Sequence, residues 1–188
     1  YSPDLKAAGG APGLPDVAYQ LARFYREMDQ PRLEEQWLTS AVGMLRDGAG
    51  PSALRDVEMY IDAQTRLGEF YYGERQYLDA SRELKKAVEL VEDAAYGGRF
   101  TAERRQSKPS LGRLLGRPHA KLADISYYVE GLLADAAAGY RKAAEYGYTG
   151  PEIDYKLGYI AYATGEWLAA LEKFSDAEEG GGRAAFAA

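Results

Sequence analysis

Large and small apolar residues recur along this chain at fixed offsets, with polar residues filling the positions between them. The segment from Pro151 to Ala177 carries the pattern most plainly. With Pro151 as position 1, a large-small pair, Leu157-Gly158, stands at 7 and 8. Gly165 follows at 15, Ala170 at 20, Phe174 at 24 and Ala177 at 27. The same frame holds 34 residues earlier, from Arg117, with Tyr127 at 11, Gly131 at 15, Ala136 at 20, Tyr140 at 24 and Ala143 at 27. There positions 7 and 8 are Ala123 and Asp124, a departure from the pair. An earlier copy starts at Ile61, with Leu67-Gly68, Tyr71, Ala80, Leu84 and Ala87. The first starts at Pro15, with Leu21-Ala22, Tyr25, Leu38 and Ala41. It is degenerate: Glu34 occupies position 20, where a small residue is expected, and Pro31 alters the turn.

Each copy predicts two antiparallel helices joined by a short turn, near Gly131 or Gly165 in the last two. Small residues at 8, 20 and 27 let the helices approach, and large ones at 7, 11 and 24 fill the space between. One hairpin cannot bury its own face, so neighbours must stack. Leu67, Tyr71, Leu84, Leu157, Trp167 and Phe174 are thereby core positions.

The four copies resemble the tetratricopeptide repeat family over roughly 15–184. Helical repeats of the Sel1 type share similar positions, but the 34-residue spacing favours the tetratricopeptide reading. The resemblance implies an all-α, right-handed solenoid of about four helical hairpins. In order it gives a lead-in at 1–14, repeats at 15–48 and 61–94, and an insertion between them at 49–60. A second insertion fills 95–116, with repeats at 117–150 and 151–184 and a tail at 185–188. In the family, positions 2, 5, 9, 12 and 13 of the first helices line a concave groove. Carried over, they include Tyr19, Arg23 and Arg26, then Asp62, Thr65, Glu69 and Tyr72, then Lys121, Ile125 and Tyr128, then Glu152, Tyr155, Tyr159 and Tyr162. Six of these are tyrosines, crowded towards the last two repeats. Tyr offers large contact area at low rotamer cost, which suits a groove that takes a peptide or helix from another protein. The Lys/Asn clamp by which some members hold chaperone tails is absent, since the corresponding positions carry Tyr19, Gln20, Arg23, Thr65, Arg66 and Glu69.

The insertion at 49–60 carries turn signals at Gly48, Gly50 and Pro51, a capping residue at Ser52, and helical spacing at Leu54, Val57 and Ile61. It reads as an N-terminal extension of the next helix. The insertion at 95–116 differs. With Arg117 it holds Arg99, Arg104, Arg105, Lys108 and Arg113 against the single acid Glu103. It reads as a solvated loop between repeats, or as a docking loop for an acidic partner. Gly112 and Gly116 match GxxxG, but no apolar 20-residue span surrounds them, so the membrane meaning of that motif is set aside. Gly180, Gly181 and Gly182 read as the break of the last helix. The absence of an amphipathic cap after Phe174 points to a continuing chain or a subunit covering that end.

Composition narrows the chemistry. The chain has 188 residues, 46% hydrophobic and 28% charged, a globular balance. No apolar run reaches a membrane span. A net charge of -6 argues against a general nucleic-acid binder. The absence of cysteine removes disulfides, thiolate metal sites and cysteine nucleophiles, and leaves the compartment, cytoplasmic or exported, open. Tyr1 stands where an initiator Met would, with no signal-peptide pattern behind it, which reads as a fragment or processed product. The Ala- and Gly-rich style reads as bacterial. The one histidine, His119, follows Pro118 at the start of a predicted helix and reads as a surface or helix-start residue. No nucleophile elbow or phosphate loop accompanies it. The expectation is a non-enzymatic protein-binding scaffold without cofactor or metal. The alternative is a structural module that stacks through its repeat ends, and a metabolite-dependent thermal shift would instead mark a small-ligand protein.

Overall fold

A computed structural model describes residues 14–47 and 54–181. Residues 1–13 of the expected lead-in at 1–14, the turn signals and cap at Gly48, Gly50, Pro51 and Ser52, and the expected tail at 185–188 lie outside the described residues, while Leu14 begins α1. Within them the chain is all-α, and its helices pack in adjacent pairs. It divides between Arg99 and Phe100 into two compact units.

The first unit contains α1 (Leu14–Glu27), α2 (Pro31–Asp47), α3 (Leu54–Gly73) and α4 (Tyr77–Glu92), closed by a 3-10 turn at Gly97–Arg99. Pro15 and Asp16 open α1, where a missing N–H costs nothing and a negative charge meets the helix dipole. Helix α1 pairs with α2, and α3 with α4; α2 also packs on α3. The core joining these two pairs contains Ala22, Leu38, Val42, Leu45, Met59, Tyr60, Ala63 and Leu67. Gly97 lies so close to α4 that a Cβ there would fall 1.5 Å from the Val91 carbonyl oxygen.

The second unit contains α5 (Ala102–Ser107), α6 (Pro109–Ile125), a π-helical turn (Ser126–Glu130), α7 (Leu133–Glu145), α8 (Pro151–Ala163) and α9 (Trp167–Gly181). Helix α6 pairs with α7, α8 with α9, and α7 touches α8. Its core includes Ala120, Ala123, Ala136, Ala137, Tyr140, Ala143, Ile153 and Ile160.

Two features recur at the offsets of the sequence frame. The four hairpin turns each place a left-handed residue at position 15: Asp29 (φ 52°), Arg75 (φ 60°), Gly131 (φ 70°) and Gly165 (φ 83°). The small-large pair at positions 8 and 24 also meets across each hairpin. A Cβ on Gly68 would strike the Leu84 side chain at 2.5 Å, and one on Gly158 the Phe174 ring at 2.8 Å. Ala22 and Leu38 share the first unit's core.

Two expectations need correction. The segment 95–116 is not a loop, because it forms the 3-10 turn, α5 and the first two turns of α6. Thr101 caps α5 by accepting a hydrogen bond from the Arg104 N–H at 3.3 Å. Helix α6 then runs through Pro118, so His119 lies mid-helix and buried, stacked on Tyr146 at 5.3 Å, rather than on a surface. Helix α9 extends through Gly180 to Gly181, the last described residue, and Gly182 of the expected break lies outside the described residues. Among the described residues no helix is long and apolar enough to cross a membrane.

Candidate functional site

The strongest cluster of chemistry lies in the second unit, where the third hairpin departs from the frame. Asp124 occupies the small position, and it is buried. Its partner at the large position is Tyr140, whose hydroxyl donates to Asp124 Oδ1 at 2.8 Å. The contact that Gly68 and Gly158 make by steric fit is here a hydrogen bond. Lys156 enters from α8 and donates to the same oxygen at 2.8 Å, and to Glu152 Oε1 at 2.6 Å. Lys121 reaches Asp124 Oδ2 at 3.3 Å.

A buried lysine is tolerated only when paired. Burial pushes the Lys156 ammonium down, but the hydrogen bonds it donates to Asp124 and Glu152 outweigh it and hold the group above the ordinary lysine range. Burial, reinforced by Asp124, raises the Tyr140 phenol well above its usual value. Lys156 Nζ also lies 5.2 Å from the centre of the Tyr128 ring and 5.4 Å from that of Tyr140. A buried cation thus lies beneath an exposed ring.

Around this centre lie the exposed aromatics. Tyr155, Tyr159 and Tyr162 share one face of α8 at helical spacing, and with Tyr128 they are between 44% and 60% exposed. Tyr127 ties two of them together, meeting Tyr128 edge-on at 4.7 Å and Tyr159 at 6.1 Å. Tyr162 meets Trp167 at 5.2 Å, and Tyr155 meets Phe174 at 5.6 Å. Trp167, expected in the core, is exposed.

Tyr127 and Tyr128 lie in the π-turn, where the third hairpin differs from the others. In the other hairpins the residue after the left-handed one donates its N–H five residues back: Gln30 to Tyr25, Gln76 to Tyr71 and Glu166 to Ala161. In the third, Leu132 reaches six back, to Ser126, at 2.8 Å. The wider turn is confined to Ser126–Glu130, and Tyr127 still packs partly buried against its unit's core, as Tyr71 does at the same position of the second hairpin.

In the first unit the expected groove residues are engaged differently. The Tyr19 hydroxyl donates to Asp62 Oδ2, which also accepts from Arg66 Nε at 2.6 Å. Tyr71 donates to Glu35 Oε1 at 2.8 Å. Arg23 and Arg26 are exposed on α1, while Glu69 and Tyr72 are half-buried on α3. The Asp62–Arg66 pair stands where Glu152–Lys156 stands in the second unit, so an acid and a base four residues apart recur at positions 2 and 6. Of the groove tyrosines, the structure gathers Tyr128, Tyr155, Tyr159 and Tyr162 in one unit, with Lys121 beside them; Tyr19 and Tyr72 belong to the other.

The basic residues also divide. Arg105 is held by the fold, donating to the Phe100 carbonyl at 2.8 Å and lying 5.3 Å over the Tyr146 ring. Arg99, Arg104, Lys108 and Arg113 are exposed, Arg99 in the first unit and the others in the second.

Burial, then the neighbouring acid, pushes Tyr19 and Tyr71 from the ordinary phenol value of 10.0 up to about 12. The neutral phenol is therefore the form the fold favours. Their stabilising contribution is complete below pH 10 and is lost as pH rises through about 12. Urea midpoints should fall over that window in the wild type and fall less in the Tyr19→Phe/Tyr71→Phe double variant. Parallel slopes would contradict the assignment.

The residues that sequence reasoning missed are Asp124, Lys156, Tyr127 and Trp167. Asp124 was visible as a departure from the frame, and Lys156 as a lone cation in the apolar run of α8. The chain matches no family model and no curated protein.

Proposed function

We propose that this chain is a non-catalytic protein-binding module of the tetratricopeptide type, and that residues of the second unit take a peptide or helix from a partner protein. The observation that carries the reading is the exposed aromatic face of Tyr128, Tyr155, Tyr159 and Tyr162 mounted on a buried ionic centre. Half-exposed rings held by neighbours lose little freedom on binding, which is what makes tyrosine effective at interfaces. The left-handed turns at one place in each hairpin support the repeat assignment. No cofactor or metal enters the proposal.

The test uses peptides selected from a displayed library against the wild-type chain. Replacing Tyr155, Tyr159 and Tyr162 together by Ala is expected to weaken their binding more than ~100-fold, as loss of two or three interface anchors does. The far-UV circular dichroism should stay helical. Affinity within about threefold of wild type would remove the aromatic face from the function.

A further inference from the structure

We propose that copies of this chain associate end to end, with α9 of one packing on α1 of the next in the manner of the joints inside each unit. The argument begins with α1. Its residues Val17 and Phe24 are 53% and 52% exposed, and Met28 continues the stripe along the same face. The equivalent residues of α8, 136 positions on, are Ile153 and Ile160. They are only 6% and 4% exposed, because they pack against α7 in the second unit's core. In the first unit the equivalent of Val17 is Ala63 on α3, fully buried in the core with Leu38 and Val42 of α2. The outward face of α1 is thus the same surface that α3 and α8 use to receive a preceding second helix.

Helix α9 carries the other half of the joint. Leu171 and Phe174 stand 34 residues on from Ala137 and Tyr140. On α7 those two are buried in the core they share with Ile153 and Ile160 of α8. On α9, Phe174 is half-buried against Gly158 and Tyr155 of its own hairpin, while Leu171 is 68% exposed and Trp167 beside it 63%. An apolar stripe on each of two helices, at the positions that form joints elsewhere in the chain, is more than scattered surface hydrophobicity. A second copy supplies both missing halves in the correct sense, α9 to α1. Such a contact joins two different surfaces, so each copy keeps one free end and the assembly grows past a dimer.

Sedimentation velocity over a wide concentration range tests this. The wild type is expected to show a mass that rises with concentration beyond two chains. Leu171→Glu blocks one end and Val17→Glu/Phe24→Glu the other. Each variant alone should be monomeric, and an equimolar mixture should form a dimer and stop there. None of the substituted residues belongs to the tyrosine face, so association is expected to survive the Tyr155/Tyr159/Tyr162 replacement. A wild type that stays monomeric throughout would overturn the proposal, and this needs no variant to fold. So would dimers of either blocked variant alone, which would mean pairing through a single shared surface, or a mixture that stays monomeric.

Discussion

Replacing Asp124 by Ala is expected to destabilise the second unit by about 3–5 kcal/mol, the usual cost of removing one partner from a buried ion pair. Three groups lose at once. The Lys156 ammonium, whose side chain is only 5% exposed, is left with Glu152, whose side chain is 78% exposed. The Tyr140 hydroxyl, inside the core, loses its acceptor. Lys121 loses the carboxylate it pairs with at 3.3 Å. Native-state hydrogen exchange of the α6, α7 and α8 amides, read beside a urea melt, measures the loss. A change under ~1 kcal/mol, the range of an exposed ion pair, would show that water or a neighbour replaces Asp124 without cost.

The same geometry sets the rescue. An apolar trio, Asp124→Ala with Tyr140→Phe and Lys156→Met, restores the small-large contact that Gly158 and Phe174 make in the next hairpin. Removing both charges avoids the desolvation that a half-pair suffers, so the triple variant should recover most of the loss. Its aromatic face would then lack the cation beneath Tyr128. If the triple variant folds well but binds selected peptides poorly, the ionic centre serves the orientation of that ring.

Much of the architecture was legible because it depends on side-chain volume at fixed spacing. The facing of Gly68 with Leu84 and of Gly158 with Phe174 follows from a residue too small to keep a helix away. The turns at Gly131 and Gly165 were readable from glycine, whereas those at Asp29 and Arg75 were not, since neither residue announces a left-handed backbone. The stretch 95–116 hid its helices behind basic residues, glycines and Pro109. Pro118 suggested a helix start because proline favours that position, yet it lies inside α6. The candidate site was half legible. Helical spacing put Tyr155, Tyr159 and Tyr162 on one face, but no pattern of volume tells that Asp124 and Lys156 meet across two hairpins. Trp167 was misplaced because an aromatic at a core position is buried only if a neighbour covers it.

The second large effect concerns Gly112 and Gly116, set aside in the sequence because their spacing is known from membrane helices. Replacing either by Ala in a helix interior would ordinarily stabilise by up to ~1 kcal/mol, through lower backbone entropy in the unfolded chain. Here packing decides the sign. A Cβ on Gly112 would lie 2.4 Å from the Tyr146 carbonyl oxygen. One on Gly116 would lie 2.6 Å from the Ala143 carbonyl oxygen and 2.5 Å from the Tyr148 Cβ. Two of these obstacles are backbone and cannot rotate away, so α6 must separate from the end of α7. Overpacking of this kind costs about 1–3 kcal/mol per site, and the pair share one contact surface, so the double variant should lose roughly 2–5 kcal/mol. Gly43 in α2 gives the control, because a Cβ there meets nothing within 4 Å. Gly43→Ala should therefore raise the urea midpoint by the equivalent of about 0.5–1 kcal/mol, while Gly112→Ala/Gly116→Ala lowers it. Midpoints that rise in both would mean that α6 and the 143–148 turn are not in contact in solution. The His119–Tyr146 stack, built on the same approach, would then be absent too.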